Sequence, residues 1–159
     1  MAGRHVIRKI LSLKNQGFNP EGILDIGAYI GEFSLTMRNN FKESHIVMVE
    51  PLEEMNQVCN HIATRIGNTE FKPALVGAEE KEVEFHLVDT TKNPNLNLSG
   101  SSVYKERNNF PFTSRKLQQT TVEQLLKGDN HNYELVKLAV GGAELDVLKG
   151  FGPRLNGVQ

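Results

Sequence analysis

Residues 22–33, Gly-Ile-Leu-Asp-Ile-Gly-Ala-Tyr-Ile-Gly-Glu-Phe, constrain this chain more than any other stretch. A short apolar run ends in an acid, two glycines spaced four apart follow, and the next residues can continue as a helix. Strand, tight turn and helix in that order bring a nucleotide-like ligand onto a helix N-terminus. Asp25 stands at the carboxyl edge of the first strand, where open α/β sheets hold their ligands. The bland alternative is an α/β turn that binds nothing.

The rest of the chain continues the α/β alternation. Val6, Ile7, Ile10 and Leu11 recur at helical spacing and predict a leading amphipathic helix packed on the sheet, closed by Gly17 and the turn Asn19-Pro20. Residues 23–26 form the first strand, 32–38 a helix, and 45–50 a second apolar strand ending in Glu50. Pro51 suits a helix first turn, and Leu52, Met55, Val58, Cys59, Ile62, Ala63 and Ile66 line one face of a long helix ending at Gly67. Residues 70–76 are a third strand candidate, weakened or put at an edge by Pro73. Residues 82–88 alternate charged and apolar side chains as a half-exposed strand does. A polar segment, 89–114, reads either as a lid or as disorder. Residues 115–120 suggest another strand, 121–126 a short helix, 134–140 a fourth core strand, and 143–150 its helix.

This order predicts a parallel central sheet with flanking helices and right-handed crossovers. A chain of 159 residues fits one domain. A fifth strand would normally follow the last helix, so the domain is expected to be truncated after its fourth core strand and helix. The uncovered strand edge then offers a route to a homo-oligomer.

Composition narrows the setting. A net charge of −1 gives no long-range attraction to nucleic acid or anionic membrane. No apolar run approaches the roughly 20 residues that span a bilayer. The single cysteine, Cys59, excludes an internal disulfide framework and makes the cytoplasm the default compartment; on a helix face it reads as core. The five histidines are scattered without metal-ligand spacing, so no metal site is expected.

A dinucleotide fingerprint fails, because Tyr29 and Glu32 stand where its second and third glycines belong, and no Gly-Lys-Ser/Thr completes a phosphate loop. What survives is Asp-x-Gly-x-x-x-Gly with Glu50 at the next strand tip. That suits a nucleoside carrying an amino-acid tail, the glycines admitting the tail and Glu50 accepting two ribose hydroxyls. The alternative for Glu50 is a charge favoured at a helix N-terminus.

With these segments, the chain resembles the FkbM family of S-adenosylmethionine-dependent methyltransferases. The matching motifs are ILDIGAYIGEF, VEP at 49–51, SGSS at 99–102, TTVEQLL at 120–126 and VKLAVGGAELDVLKGF at 136–151. The resemblance implies a Rossmann-like methyltransferase fold. It implies S-adenosylmethionine bordered by Asp25, Gly27, Ala28, Tyr29 and Gly31, with Glu50 and Pro51 at its ribose. It also implies a hydroxyl acceptor on a small molecule or glycan. Three departures stand out. Tyr29 replaces the family's Asn, so the turn is altered or the ring lines the pocket. Ala139 and Gly141 replace an acid and a polar residue at the fourth strand tip, and the family domain continues beyond residue 159. A base for the acceptor hydroxyl is therefore missing. Glu144 is a substitute, or only a first-turn carboxylate; Lys137 orients an anion, or only snorkels. The competing expectation is a degenerate, non-catalytic domain that at most binds the cofactor.

Overall fold

The computed structural model describes residues 3–105 and 109–159, and its chain divides into two compact units. The first gathers residues up to 73 with 129–139 and 156–159; the second gathers 74–128 and 140–155.

The first unit opens with α1 (Arg4–Asn15), then β1 (Gly22–Ile26), α2 (Glu32–Asn40), β2 (His45–Val49), a 3-10 turn at Glu53–Met55, α3 (Asn56–Ile66) and β3 (Thr69–Lys72). Its remaining strand comes from far along the chain (Tyr133–Leu138, β7 in chain order) and completes an all-parallel sheet in the order β3-β2-β1-β7. Every residue of β1 and β2 is buried, which is why both read as unbroken apolar runs rather than alternating ones. Ile23, Ile46 and Met48 on one sheet face pack with Ile10 of α1, Phe33 and Met37 of α2, and Cys59 and Ala63 of α3. Arg38, a buried cation, donates to the carbonyls of Phe41, Lys42, Ser44, Gly67 and Asn68 and so ties two loops together. Beyond β7, the backbone N–H of Gln159 donates to Glu134 O at 3.0 Å, so the last residue lies against that strand.

The second unit holds β4 (Leu75–Val76), β5 (Lys81–Val88), β6 (Phe112–Thr120), α4 (Val122–Leu125) and α5 (Glu144–Lys149). Its three-stranded sheet runs β4-β6-β5, with β5 and β6 antiparallel. Thr121 caps α4 by accepting the Gln124 N–H at 3.1 Å.

Several boundaries differ from expectation for local reasons. The strand expected at 70–76 is two strands in two sheets, because Pro73 has no N–H to donate and breaks the ladder. The long helix begins at Asn56, not at Leu52, which is buried ahead of a 3-10 turn. The polar segment 89–114 is partly ordered secondary structure. Leu98–Gly100 forms a 3-10 turn, Ser102 bridges to His86, and residues from Phe112 already belong to β6. Residues 106–108 of that segment lie outside the described residues.

Candidate functional site

The turn after β1 is held from three sides. Gly27 N–H and Ala28 N–H both donate to Val49 O, at 2.9 and 3.0 Å, fixing the turn to the end of β2. Gly27 has φ +75°, and a Cβ there would stand 2.1 Å from Ala139 O, so only glycine fits. Tyr29 also adopts a left-handed backbone, φ 52°. The turn therefore keeps the conformation that an Asn would favour, and the tyrosine bears it. Its carbonyl accepts from Cys59 Sγ at 2.9 Å.

Glu50 is 4% exposed at the tip of β2. One carboxylate oxygen accepts the Tyr29 N–H at 2.8 Å and the other the Leu52 N–H at 3.0 Å. Burial pushes its pKa up; those two N–H groups and the Lys137 charge oppose the rise, and Asp25 adds to it. A carboxylate has about four acceptor positions, so an oriented, buried acid retains capacity for two more donors. Pro51, half-buried, follows it.

Asp25 is fully buried, and its carboxylate is engaged twice. Ser34 Oγ donates to Oδ2 at 2.7 Å, and Lys137 Nζ sits 2.9 Å from Oδ1. Lys137 also donates to Gly27 O at 2.5 Å. The pairing follows from register: Asp25 and Lys137 are direct partners on β1 and β7, so their side chains leave the same sheet face. Asp25 thus secures the turn from beneath, and Lys137, with three donors, reaches its edge. An apolar cleft of about 350 Å³ adjoins it, lined by Val6, Ile10, Phe33 and residues 135–139. Cys59, wholly buried as expected, has its thiol pushed up to about 12 by burial and then by the charges of Glu50 and Asp25.

The structure brings Asp25, Gly27, Ala28, Tyr29, Glu50 and Lys137 together in the first unit. Gly31 adds its own N–H to Ala28 O at 2.8 Å and starts α2, with φ +77° and Met48 Cε 2.8 Å from where a Cβ would be. Ser34 escaped the sequence reading, although a serine one turn into the helix after the glycine turn is a usable signal. Glu144 is described with the second unit, where its Oε1 accepts the Val140 N–H at 3.1 Å at the start of α5. In that unit Gly141 has φ +60° and lies against Ser102, whose Oγ donates to Val140 O and Gly141 O at 2.8 and 2.9 Å. A side chain at 141 would meet Ser102 Cβ at 2.7 Å, which explains glycine there.

Away from this turn, at the amino ends of the strands, the fold assembles His45, Asp129 and His131, which no sequence spacing joins.

A parallel sheet ordered β3-β2-β1-β7, with helices packed on it and a glycine turn leaving its first strand, defines a Rossmann-like α/β protein. Residues 25–158 match the family model described as the Methyltransferase FkbM domain, and the chain belongs to that family. Its fold is shared with the crystal structure of methyltransferase FkbM from Methylobacillus flagellatus KT, at a TM-score of 0.54 and 16% identity. That match covers 82% of this chain and 28% of the other, so this chain spans under a third of that protein's length. No curated protein matches the chain.

Proposed function

We propose that this domain binds S-adenosylmethionine at the glycine turn and transfers its methyl group to a hydroxyl oxygen on a small molecule or glycan. The observation that carries the reading is Glu50, nearly buried at the tip of β2, held by two backbone N–H groups and with acceptor capacity to spare. The residues present fit the group. Glu50 would accept the ribose hydroxyls, and Gly27, Ala28, Tyr29 and Gly31 would present backbone to the methionine part, with Pro51 beside the nucleoside. Lys137 has one donor beyond its two described bonds for an anionic group. S-adenosylmethionine, when bound, supplies a methyl already activated on a sulfonium. The protein's task is then to position the acceptor and exclude water.

Calorimetric titration with S-adenosylmethionine tests the binding. Glu50→Ala is expected to weaken it at least about tenfold, since hydrogen bonds to a charged group are lost. Absence of heat at millimolar cofactor in the parent chain overturns the reading.

One observation favours a second reading, a domain that binds the cofactor without turnover. The run Ala139-Val140-Gly141-Gly142 carries no acid, and Glu144 spends one carboxylate oxygen on Val140 N–H. Cofactor binding with no methyl transferred to any of a panel of hydroxylated acceptors would select it. The single buried thiol suits the cytoplasm, and self-association through a sheet edge is tested by sedimentation analysis.

A further inference from the structure

His45 opens β2, and His131 lies in the loop that leads into β7, so parallel pairing through β1 sets both at the amino end of the sheet. This is the opposite end from Glu50. The two imidazoles stack, centroids 4.0 Å apart and planes 12° from parallel. Asp129 Oδ1 accepts both the His131 backbone N–H, at 2.9 Å, and its Nδ1, at 2.8 Å, while Tyr133 OH donates to Oδ2 at 2.5 Å.

The neighbours of His45 select its tautomer. Asn68 donates through Nδ2 to the carbonyls of Glu43 and Ser44, at 3.2 and 3.3 Å, so its Oδ1 is the atom facing His45 Nδ1 at 3.1 Å. That acceptor requires hydrogen on Nδ1, so in the neutral ring the lone pair falls on Nε2. Among the described residues Nε2 is buried without a hydrogen-bond partner. The atom that faces it is Glu70 Oε1, 3.5 Å away on β3, whose other oxygen pairs with Lys72 at 3.2 Å. A buried acceptor nitrogen thus confronts a carboxylate oxygen, with a second carboxylate, Asp129, close by. Two lone pairs set against each other repel unless a cation lies between them. An imidazole whose Nδ1–H is fixed by an amide or carboxylate is also the form that ligates metals through Nε2.

We propose that His45, Asp129 and His131 form a binding site for a first-row divalent transition ion such as Zn²⁺, with Glu70 supplying a fourth ligand. One candidate ligand atom from each of the three lies within 4.8 Å of the others; because the two rings are stacked nearly parallel, one of them must turn out of the stack before both nitrogens can face one ion. The mixed imidazole–carboxylate set suits zinc and its neighbours rather than calcium or magnesium, which favour oxygen. The ion would clamp the 129–133 loop to β2, stabilising the first unit in proportion to its occupancy.

The test uses the full chain without a histidine tag, stripped with chelator and titrated with ZnCl₂ by calorimetry. CoCl₂ serves as a parallel probe read by visible absorption. One equivalent is expected, with affinity falling as pH falls, because the imidazoles must be neutral to ligate. His131→Gln, with its fold checked by circular dichroism, is expected to weaken binding at least about tenfold. Asp129→Asn and His45→Gln should do likewise, and His61→Gln on α3 should not. No saturable binding, or binding lost with His61 and kept with His131 replaced, overturns the site. A proton alone on His45, seen as histidine titration by NMR with no cobalt spectrum, overturns it as well.

Discussion

Asp25 and Lys137 form an ion pair in which neither partner has a ready substitute. With Asp25 fully buried and Lys137 only 11% exposed at its side chain, removing the ammonium strands a carboxylate in the core. Lys137→Met is therefore expected to lower stability by about 3 kcal/mol in urea unfolding. Adding Asp25→Asn should recover part of that loss, and a purely additive double variant would show that the pair is not coupled. Glu50 links stability to pH through its burial. Its folded pKa is raised, so between the ordinary carboxylate range and that raised value the folded state holds more protons than the unfolded chain. Stability from this group is then lost as pH rises through its folded pKa. The parent should lose ground against Glu50→Gln over that window; parallel pH profiles would contradict it. Asp25 and Glu50 were legible in the sequence because an acid ending a buried apolar run has few other places to be. Lys137's partnership was not, since it depends on the register of two strands more than a hundred residues apart. For the same reason His45 and His131 looked unrelated until β1 brought their strands to a common edge.

At the scale of elements, the turn from β1 into α2 concentrates left-handed backbone at Gly27, Tyr29 and Gly31. Glycine bears this freely; a tyrosine does so at roughly 1–2 kcal/mol. Tyr29→Asn is expected to raise stability by about 1 kcal/mol, read as a higher urea midpoint with unchanged slope. An unchanged or lower midpoint would mean that the ring's own contacts outweigh the strain. Strands β1 and β2 were readable as unbroken apolar runs because they are buried throughout, and helices α1 to α3 from apolar periodicity because one face of each packs on the sheet. The break at Pro73 was legible as weakness but not as a change of sheet, since a missing donor marks where a ladder stops without naming the strand that the next residues join. The segment 89–114 was opaque for a related reason. Its order rests on single contacts, such as the Ser102–His86 bridge, that leave no period in the sequence.

For the whole molecule, the first unit is assembled from three separated stretches of chain. Residues 1–73 expressed alone would lack β7, leaving β1 as a bare edge and Asp25 without its ammonium. That fragment is expected to show no cooperative thermal transition by circular dichroism, whereas the full chain should melt cooperatively. A cooperative melt of the fragment would mean that three strands and their helices suffice. The contact between Gly27 and Ala139 bears on redesign. Backbone at 139 is locked, its carbonyl against the glycine and its N–H donating to Ile26 O at 3.1 Å, while its side chain is exposed. Scaffold and functional group are thereby decoupled at this one residue. A carboxylate grafted there as Ala139→Asp should shift unfolding by no more than about 0.5 kcal/mol. Any gain in methyl transfer would then report on chemistry alone, and an unchanged or lower rate would show that this address needs no acid.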